Sequence, residues 1–126
     1  MKYIRKEFTN CNRNSTFRIY PLGDVHIGAA SCDETALKEW VATVKADENG
    51  YVICMGDLID AIGPRDPRWN VDGLASWLSI ADLMDICGAQ KDRLFKYIAP
   101  ICNKIICTVE GNHERAIKRH YERDVY

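Results

Sequence analysis

Arg18-Ile-Tyr-Pro-Leu-Gly-Asp-Val-His-Ile-Gly28 carries an apolar, strand-like run straight into glycine, aspartate and histidine. The arrangement returns twice. Tyr51 to Met55 leads into Gly56-Asp57-Leu58-Ile59-Asp60, and Lys104 to Val109 leads into Gly111-Asn112-His113-Glu114. Each stretch reads as a strand, a glycine, then Asp or Asn. In a parallel sheet the carboxyl ends of the strands share one edge, where α/β proteins bind ligands. Asp24, His26, Asp57, Asn112 and His113 are therefore expected to meet there. Carboxylate, amide and imidazole together suit hard or borderline divalent metals.

The segments between the motifs fit that sheet. Ser31 reads as a helix start, with Glu34 three residues on as a capping box. Leu37, Trp40, Val41 and Val44 fall at helical spacing and should face the sheet. Asn49-Gly50 is a stop signal, and the next strand follows at once, making a βαβ unit. Leu74, Trp77, Leu78 and Ala81 mark a further helix, and Leu94, Tyr97 and Ile98 another, ended by Pro100. Tyr3 to Phe8 reads as a short strand forming a hairpin with Phe17 to Leu22. The composition of Ile105 to Val109 suggests a strand buried on both faces. The fold class expected is α/β.

Bulk properties narrow the class. The 126 residues amount to one domain, 47% hydrophobic, with a formal net charge of −1. That balance gives no electrostatic sign of nucleic acid or membrane. The basic stretch Glu114 to Arg123 reads as a solvated helix face. Six cysteines occur without a CxxC pair or a secretory signal. They read as thiols in a reducing, cytoplasmic compartment rather than as a disulfide scaffold or a zinc site. Cys54 and Cys107 lie in strand runs and should be buried small hydrophobes. No apolar run approaches a membrane span.

The three blocks, in order and each after a strand, resemble the calcineurin-like metallophosphoesterases, whose signature is GDxH, GDxxD and GNH[DE]. The resemblance covers roughly Phe17 to Tyr121. It implies part of that family's sandwich, with metal ligands at the strand carboxyl ends. The family pattern continues with an isolated His and a GHxH block, so over residues 1–126 the resemblance implies a C-terminally incomplete domain. Its implied activity is dinuclear metal-dependent phosphoester hydrolysis: a phosphodiesterase, nuclease or phosphatase using two divalent ions such as Mn, Fe or Zn. By the same resemblance Asp24 and His26 hold one metal, Asp57 bridges, and Asn112 holds the other. His113 is the general acid and Asp60 its orienting carboxylate. Glu114 is structural. Gly23, Gly56 and Gly111 are expected to let the backbone turn sharply beside the ligands, and Gly28 to open the loop before the first helix.

One departure bears on substrate. The serine/threonine phosphatases of the family continue the second block with Asp-Arg-Gly, whose Arg binds phosphate, whereas Asp60 is followed by Ala61-Ile62-Gly63. That feature, with the His-Ile-Gly ending of the first block, is more like the nuclease and small phosphodiesterase branches, phage-encoded members included. The implied partner is a phosphoester, nucleic acid or nucleotide among them, with no membrane. The substrate-binding residues are unknown at this stage. Arg65 and Arg68 read as solvated loop residues. Trp69 and Trp77 read as packing residues, and His120 as a partly buried helix residue.

Two other readings stand beside the enzyme. An incomplete domain would bind metal weakly, turn over poorly and serve as a binding module, with self-association covering its exposed sheet edge. A nucleotide-binding α/β domain is disfavoured, since no GxGxxG or GxxxxGK[ST] follows a strand.

Overall fold

The computed structural model describes residues 4–9 and 11–121. It is mixed α/β. Strand β1 (Arg18–Leu22) is followed by α1 (Glu34–Ala46) and β2 (Gly50–Cys54). After a long connection come α2 (Ile86–Ile98), β3 (Ile105–Thr108) and α3 (Asn112–Tyr121). The strands form one parallel sheet in the order β1-β2-β3. Arg18 through Leu22 pair in step with Gly50 through Cys54. Against β3 the register shifts between Val52 and Ile53, so that Val52 faces Ile105 while Ile53 faces Cys107. All three strands consequently end at one edge, as the repeated motif predicts.

β2 is central, and Val52 and Cys54 are buried. β1 is an edge strand, which is why it tolerates Pro21 and its missing N–H. β3 is the other edge. Ile105, Ile106 and Cys107 are only half-buried and Thr108 is exposed. The expectation of burial on both faces, and of a buried Cys107, fails for that reason. Cys54 is buried, and all six cysteines are free.

Helix α1 turns Leu37, Val41 and Val44 onto the sheet, and Trp40 packs edge-on to Tyr20. α2 contributes Leu94 and Ile98 to the same core, and its Ile86 is also buried. Trp77 also packs against that core, with the Arg93 guanidinium over its ring at 4.6 Å. Among the described residues no helix is long and apolar enough to cross a membrane.

Three local expectations are corrected. The cap of α1 is Asp33, whose Oδ1 accepts from Thr35 N at 3.0 Å and Ala36 N at 2.9 Å. An Asp directly before the helix outcompetes the Ser31–Glu34 box, and Glu34 turns instead to Arg93 and Tyr97. The helix expected through Leu74, Trp77, Leu78 and Ala81 does not form. Short 3-10 turns at Val71–Gly73 and Asp82–Asp85 flank an irregular segment. There Ala75 N donates to Gly28 O at 2.8 Å, so tertiary pairing with the first motif loop takes the place of helical bonds. The described residues of the Tyr3 to Phe8 stretch form no strand; Phe8 instead stacks on Phe17, ring centroids 4.2 Å apart. Tyr3 itself, and the side chain of His120, lie outside the described residues.

Candidate metal centre

The site grows from how the motif loops leave the sheet. Beyond Leu22 and Cys54 the first two loops stay zipped. Asp24 N donates to Gly56 O at 3.2 Å, His26 N to Asp57 O at 3.1 Å and Ile27 N to Leu58 O at 3.0 Å. Asp60 N then donates back to Ile27 O at 3.0 Å. Four non-glycine residues adopt the left-handed conformation here: Asp24, His26 and Asp57 with φ of 51° to 52°, and Ala61 with φ of 57°. Such backbone is uncommon outside glycine, and it concentrates where function requires it. Three of the four are expected metal ligands.

Glycine serves two different needs. Gly56 has φ of +91°, and a Cβ there would lie 2.4 Å from Gly111 N. Gly111 does not have positive φ; it is required because a Cβ would come within 2.3 Å of Asp57 N. The second and third loops thus touch backbone to backbone.

Glu114 ties them together. It is buried in the first turn of α3, and its Oε2 accepts from Asp57 N at 2.9 Å and Gly111 N at 3.1 Å. Its Oε1 accepts from Leu58 N at 2.8 Å. Asp57 Oδ1 answers by accepting from His113 N at 2.8 Å, satisfying a donor in the opening turn of α3. Gln90 supports the loop from below. Its Oε1 accepts from Ala61 N at 2.8 Å. Its amide fills the space that a Cβ on Gly28 would need.

Three side chains converge above this frame. His26, Asp60 and His113 offer ligand atoms that all lie within 4.8 Å of one another. Asp60 Oδ1 is 3.8 Å from Nδ1 of His26 and 3.8 Å from Nδ1 of His113. The two imidazoles meet edge to face, centroids 4.5 Å apart. Burial pushes the Asp60 carboxyl above its usual range, against the lowering influence of both histidines and Arg68. Asp24 stands at the rim, its side chain 87% exposed and its Oδ1 3.8 Å from His26 Nε2. Asn112 is exposed at the start of α3 and makes no side-chain hydrogen bond among the described residues.

His113 is oriented by Asp60, though by a different atom from the one expected. Its Nδ1 bonds the Asp60 main-chain carbonyl, not the carboxylate. A carbonyl only accepts, so Nδ1 carries the proton. Nε2 then presents a lone pair, toward which Arg68 Nη1 points at 3.3 Å. Arg68 therefore belongs to the site, contrary to its reading as a solvated loop residue. The sequence signal was Asp66, two residues earlier, whose carboxylate holds the Arg68 main chain and guanidinium together.

The donor set is chemically suited to a divalent transition metal: two imidazoles and a buried carboxylate, with two further carboxylates and an amide nearby. No family model, curated protein or solved structure matches the chain.

Proposed function

We propose that the chain is a metal-dependent phosphoester hydrolase of calcineurin-like type, its three-stranded sheet forming part of that family's sandwich. The observation that carries this reading is the convergence of His26, Asp60 and His113, one from each motif block, at the carboxyl edge of a parallel sheet. Turn chemistry explains one Asp after one strand. It does not explain three blocks meeting with their imidazoles and carboxylate in ligand range.

Of that cluster His26 would be a ligand, and with Asp24, Asp57 and Asn112 it would hold two divalent ions such as Mn, Fe or Zn, Asp57 serving both, while His113 and Asp60 beside it serve proton transfer. Asp57 Oδ1 takes one N–H, and a carboxylate has lone pairs to spare, so this bond does not exhaust it. When bound, the ions would neutralise phosphate oxygens and make hydroxide available near neutral pH. The remaining work falls to the protein. His113, fixed through Nδ1, presents Nε2 to exchange a proton with the leaving oxygen. The Asp60 carboxylate, 3.8 Å from both imidazoles, stabilises whichever becomes charged. Glu114 and Gln90 hold the loops so that these groups need little rearrangement. The substrate would be a phosphodiester or phosphomonoester, with nucleotides and nucleic acid in that class.

Calorimetric titration with Mn tests the assignment. Asp57→Ala should remove binding at both positions, while Asp24→Ala should weaken one. Hydrolysis of bis(p-nitrophenyl) phosphate should follow Mn occupancy. Undiminished Mn binding in Asp57→Ala sinks the bridging role, and no Mn binding by the unmutated chain sinks the reading as a whole.

A further inference from the structure

Arg68 sits in the loop after the second motif, and its geometry is unusual for a surface arginine. Asp66 makes a short turn, with Asp66 N donating to Gly63 O at 2.8 Å and Trp69 N donating to Asp66 O at 2.9 Å. Within that turn the Asp66 carboxylate grips Arg68 three times. Oδ1 accepts from Arg68 N at 2.9 Å and from Nε at 3.0 Å, and Oδ2 accepts from Nη2 at 2.8 Å. The side edge of the guanidinium is thereby used up, and its plane is fixed. The end edge, with Nη1 foremost, faces His113 Nε2 at 3.3 Å. The Arg68 side chain is 46% exposed even as Nη1 reaches His113, so the guanidinium is not sealed into the protein.

A guanidinium has five N–H donors. Two are spent on Asp66 and one is directed at His113. The other two, on Nη1 and Nη2, have no partner among the described residues. The end edge pairs one Nη1 and one Nη2 N–H in the fork that matches two oxygens of a phosphate; its Nη2 donor has no partner among the described residues, and its Nη1 donor is the one turned toward His113. The carboxylates that face Arg68 electrostatically are Asp66, Asp60 and Asp57. Asp66 neutralises it locally. What Arg68 then offers is less net charge than direction: a rigid pair of donors beside the imidazole that exchanges the proton.

We propose that Arg68, pre-set by Asp66, is a phosphate-binding residue of this centre, donating from its Nη1/Nη2 edge to non-bridging oxygens of the substrate phosphate. This rests on the phosphoester reading. It goes beyond it by assigning a substrate contact to a loop that carries none of the three motif blocks. On binding, the phosphate oxygens take over the donors on that edge, and Nε2 of His113 is released from Arg68 toward the leaving oxygen.

The test is calorimetric titration of inorganic phosphate into the full chain with saturating Mn, alongside Arg68→Gln, Arg68→Lys, Asp66→Asn and Arg65→Gln. Mn affinity and thermal midpoint are measured on each. Arg68→Gln should weaken phosphate roughly 10- to 100-fold, the range expected from losing hydrogen bonds to a charged ligand, with Mn affinity unchanged. Arg68→Lys should fall between, since it keeps the charge and loses the fork. Asp66→Asn should weaken phosphate less than Arg68→Gln. Arg65→Gln makes the same charge change nearby and should leave phosphate affinity intact. Phosphate affinity unchanged in both Arg68 variants, or lowered equally in Arg65→Gln, overturns the assignment while leaving the metal centre standing. If the unmutated chain takes up no Mn, the hydrolase reading falls. The same titration without metal then judges Arg68 alone, and equal affinity of Arg68→Gln and the unmutated chain overturns it there too.

Discussion

Glu114→Gln removes one negative oxygen from the most connected side chain of the site and changes almost nothing in size. Glu114 is 1% exposed, with Oε1 on Leu58 N at 2.8 Å and Ile59 N at 3.5 Å, and Oε2 on both Asp57 N and Gly111 N. An amide keeps one acceptor and turns the other into a donor. Its oxygen belongs on the Oε2 side, where both bonds are within 3.1 Å. Its NH2 then faces Leu58 and Ile59 N–H, donor against donor. The short bond from Leu58 and the long one from Ile59 are lost, those two N–H groups are left without this acceptor, and the two surviving bonds become neutral. A hydrogen bond to a charged group contributes about 1.5–3 kcal/mol, so a loss of about 3 kcal/mol is expected once the weakening of the others is included. That is a large part of the roughly 5–15 kcal/mol that holds a domain of this size together.

Urea unfolding at pH 7 in EDTA reads this loss without interference from metal. With a slope of about 1–3 kcal/mol per molar urea, the midpoint should fall by about 1–3 M. Mn affinity should fall too, because the released Leu58 N–H lies directly after Asp57 and the surviving bonds to Asp57 N and Gly111 N, which hold the turn before Asn112, are weakened. A Glu114→Gln protein within about 0.5 kcal/mol of the parent, the range of ordinary surface changes, would refute the clamp.

Glu34 gives a pH prediction. Burial alone would raise its pKa, but the bonds from Arg93 and Tyr97 outweigh it and hold the carboxyl below the usual range. A depressed pKa contributes stability above the unfolded value that is lost as pH falls through the folded one. Glu34→Gln should therefore cost on the order of 1 kcal/mol at pH 7, and the gap to the parent should close below about pH 4, checked by urea melts across pH. Gly56→Ala combines left-handed strain with a Cβ 2.4 Å from Gly111 N and should lower stability by about 2–4 kcal/mol in the same assay. In Mn-loaded protein His113→Asn should reduce kcat by about 10²–10⁴-fold for alkyl leaving groups and less for nitrophenolate, with Mn content retained. An equal loss for both leaving groups would remove His113 from proton transfer. Asp60→Asn keeps the main-chain carbonyl that orients His113 and should show a milder form of the same pattern.

The strands were legible because each is an apolar run ended by glycine, and burial of a central strand leaves that trace in any sequence. The residues brought to the sheet's carboxyl edge were legible for the same reason, since they follow the strands at once. Elements that depend on long-range pairing were not. The stretch from Leu74 to Ala81 has helical spacing, yet Leu74 and Ala75 bond the loop at Gly28 and Ala29, which no local pattern reveals. β3 has the composition of a buried strand, and only its place at the end of the order exposes it. Composition also does not reveal which oxygen of Asp60 meets His113, because carbonyl and carboxylate belong to the same residue. Arg68 was the plainest omission. An Asp-Pro-Arg triplet looks like any polar turn until its loop is seen to fold back over the third motif.

The connections among the loops bear on what metal could add. Asp24, Asp57 and Asp60 bring like charges toward one edge, and Asp24, His26 and Asp57 each hold left-handed backbone that costs about 1–2 kcal/mol. Neither would persist in loops free to relax. They persist because the first loop is bonded to the second through Gly56, Asp57, Leu58 and Ile27 carbonyls, and the second to the third through Glu114. Apart from the bond from His113 N to Asp57 Oδ1, these bonds involve the backbone and a residue that is not a candidate ligand. The frame of the site therefore does not depend on the ions it is suited to hold. A centre assembled this way loses little conformational freedom when a ligand binds, so more of the coordination energy is available as affinity. It also separates two kinds of damage. Changes at the Asp24 or His26 side chains should weaken metal binding and leave the fold, a change at Asp57 should remove metal and also cost the bond from His113 N, and changes at Glu114, Gly56 or Gly111 should loosen the fold and empty the site as a consequence.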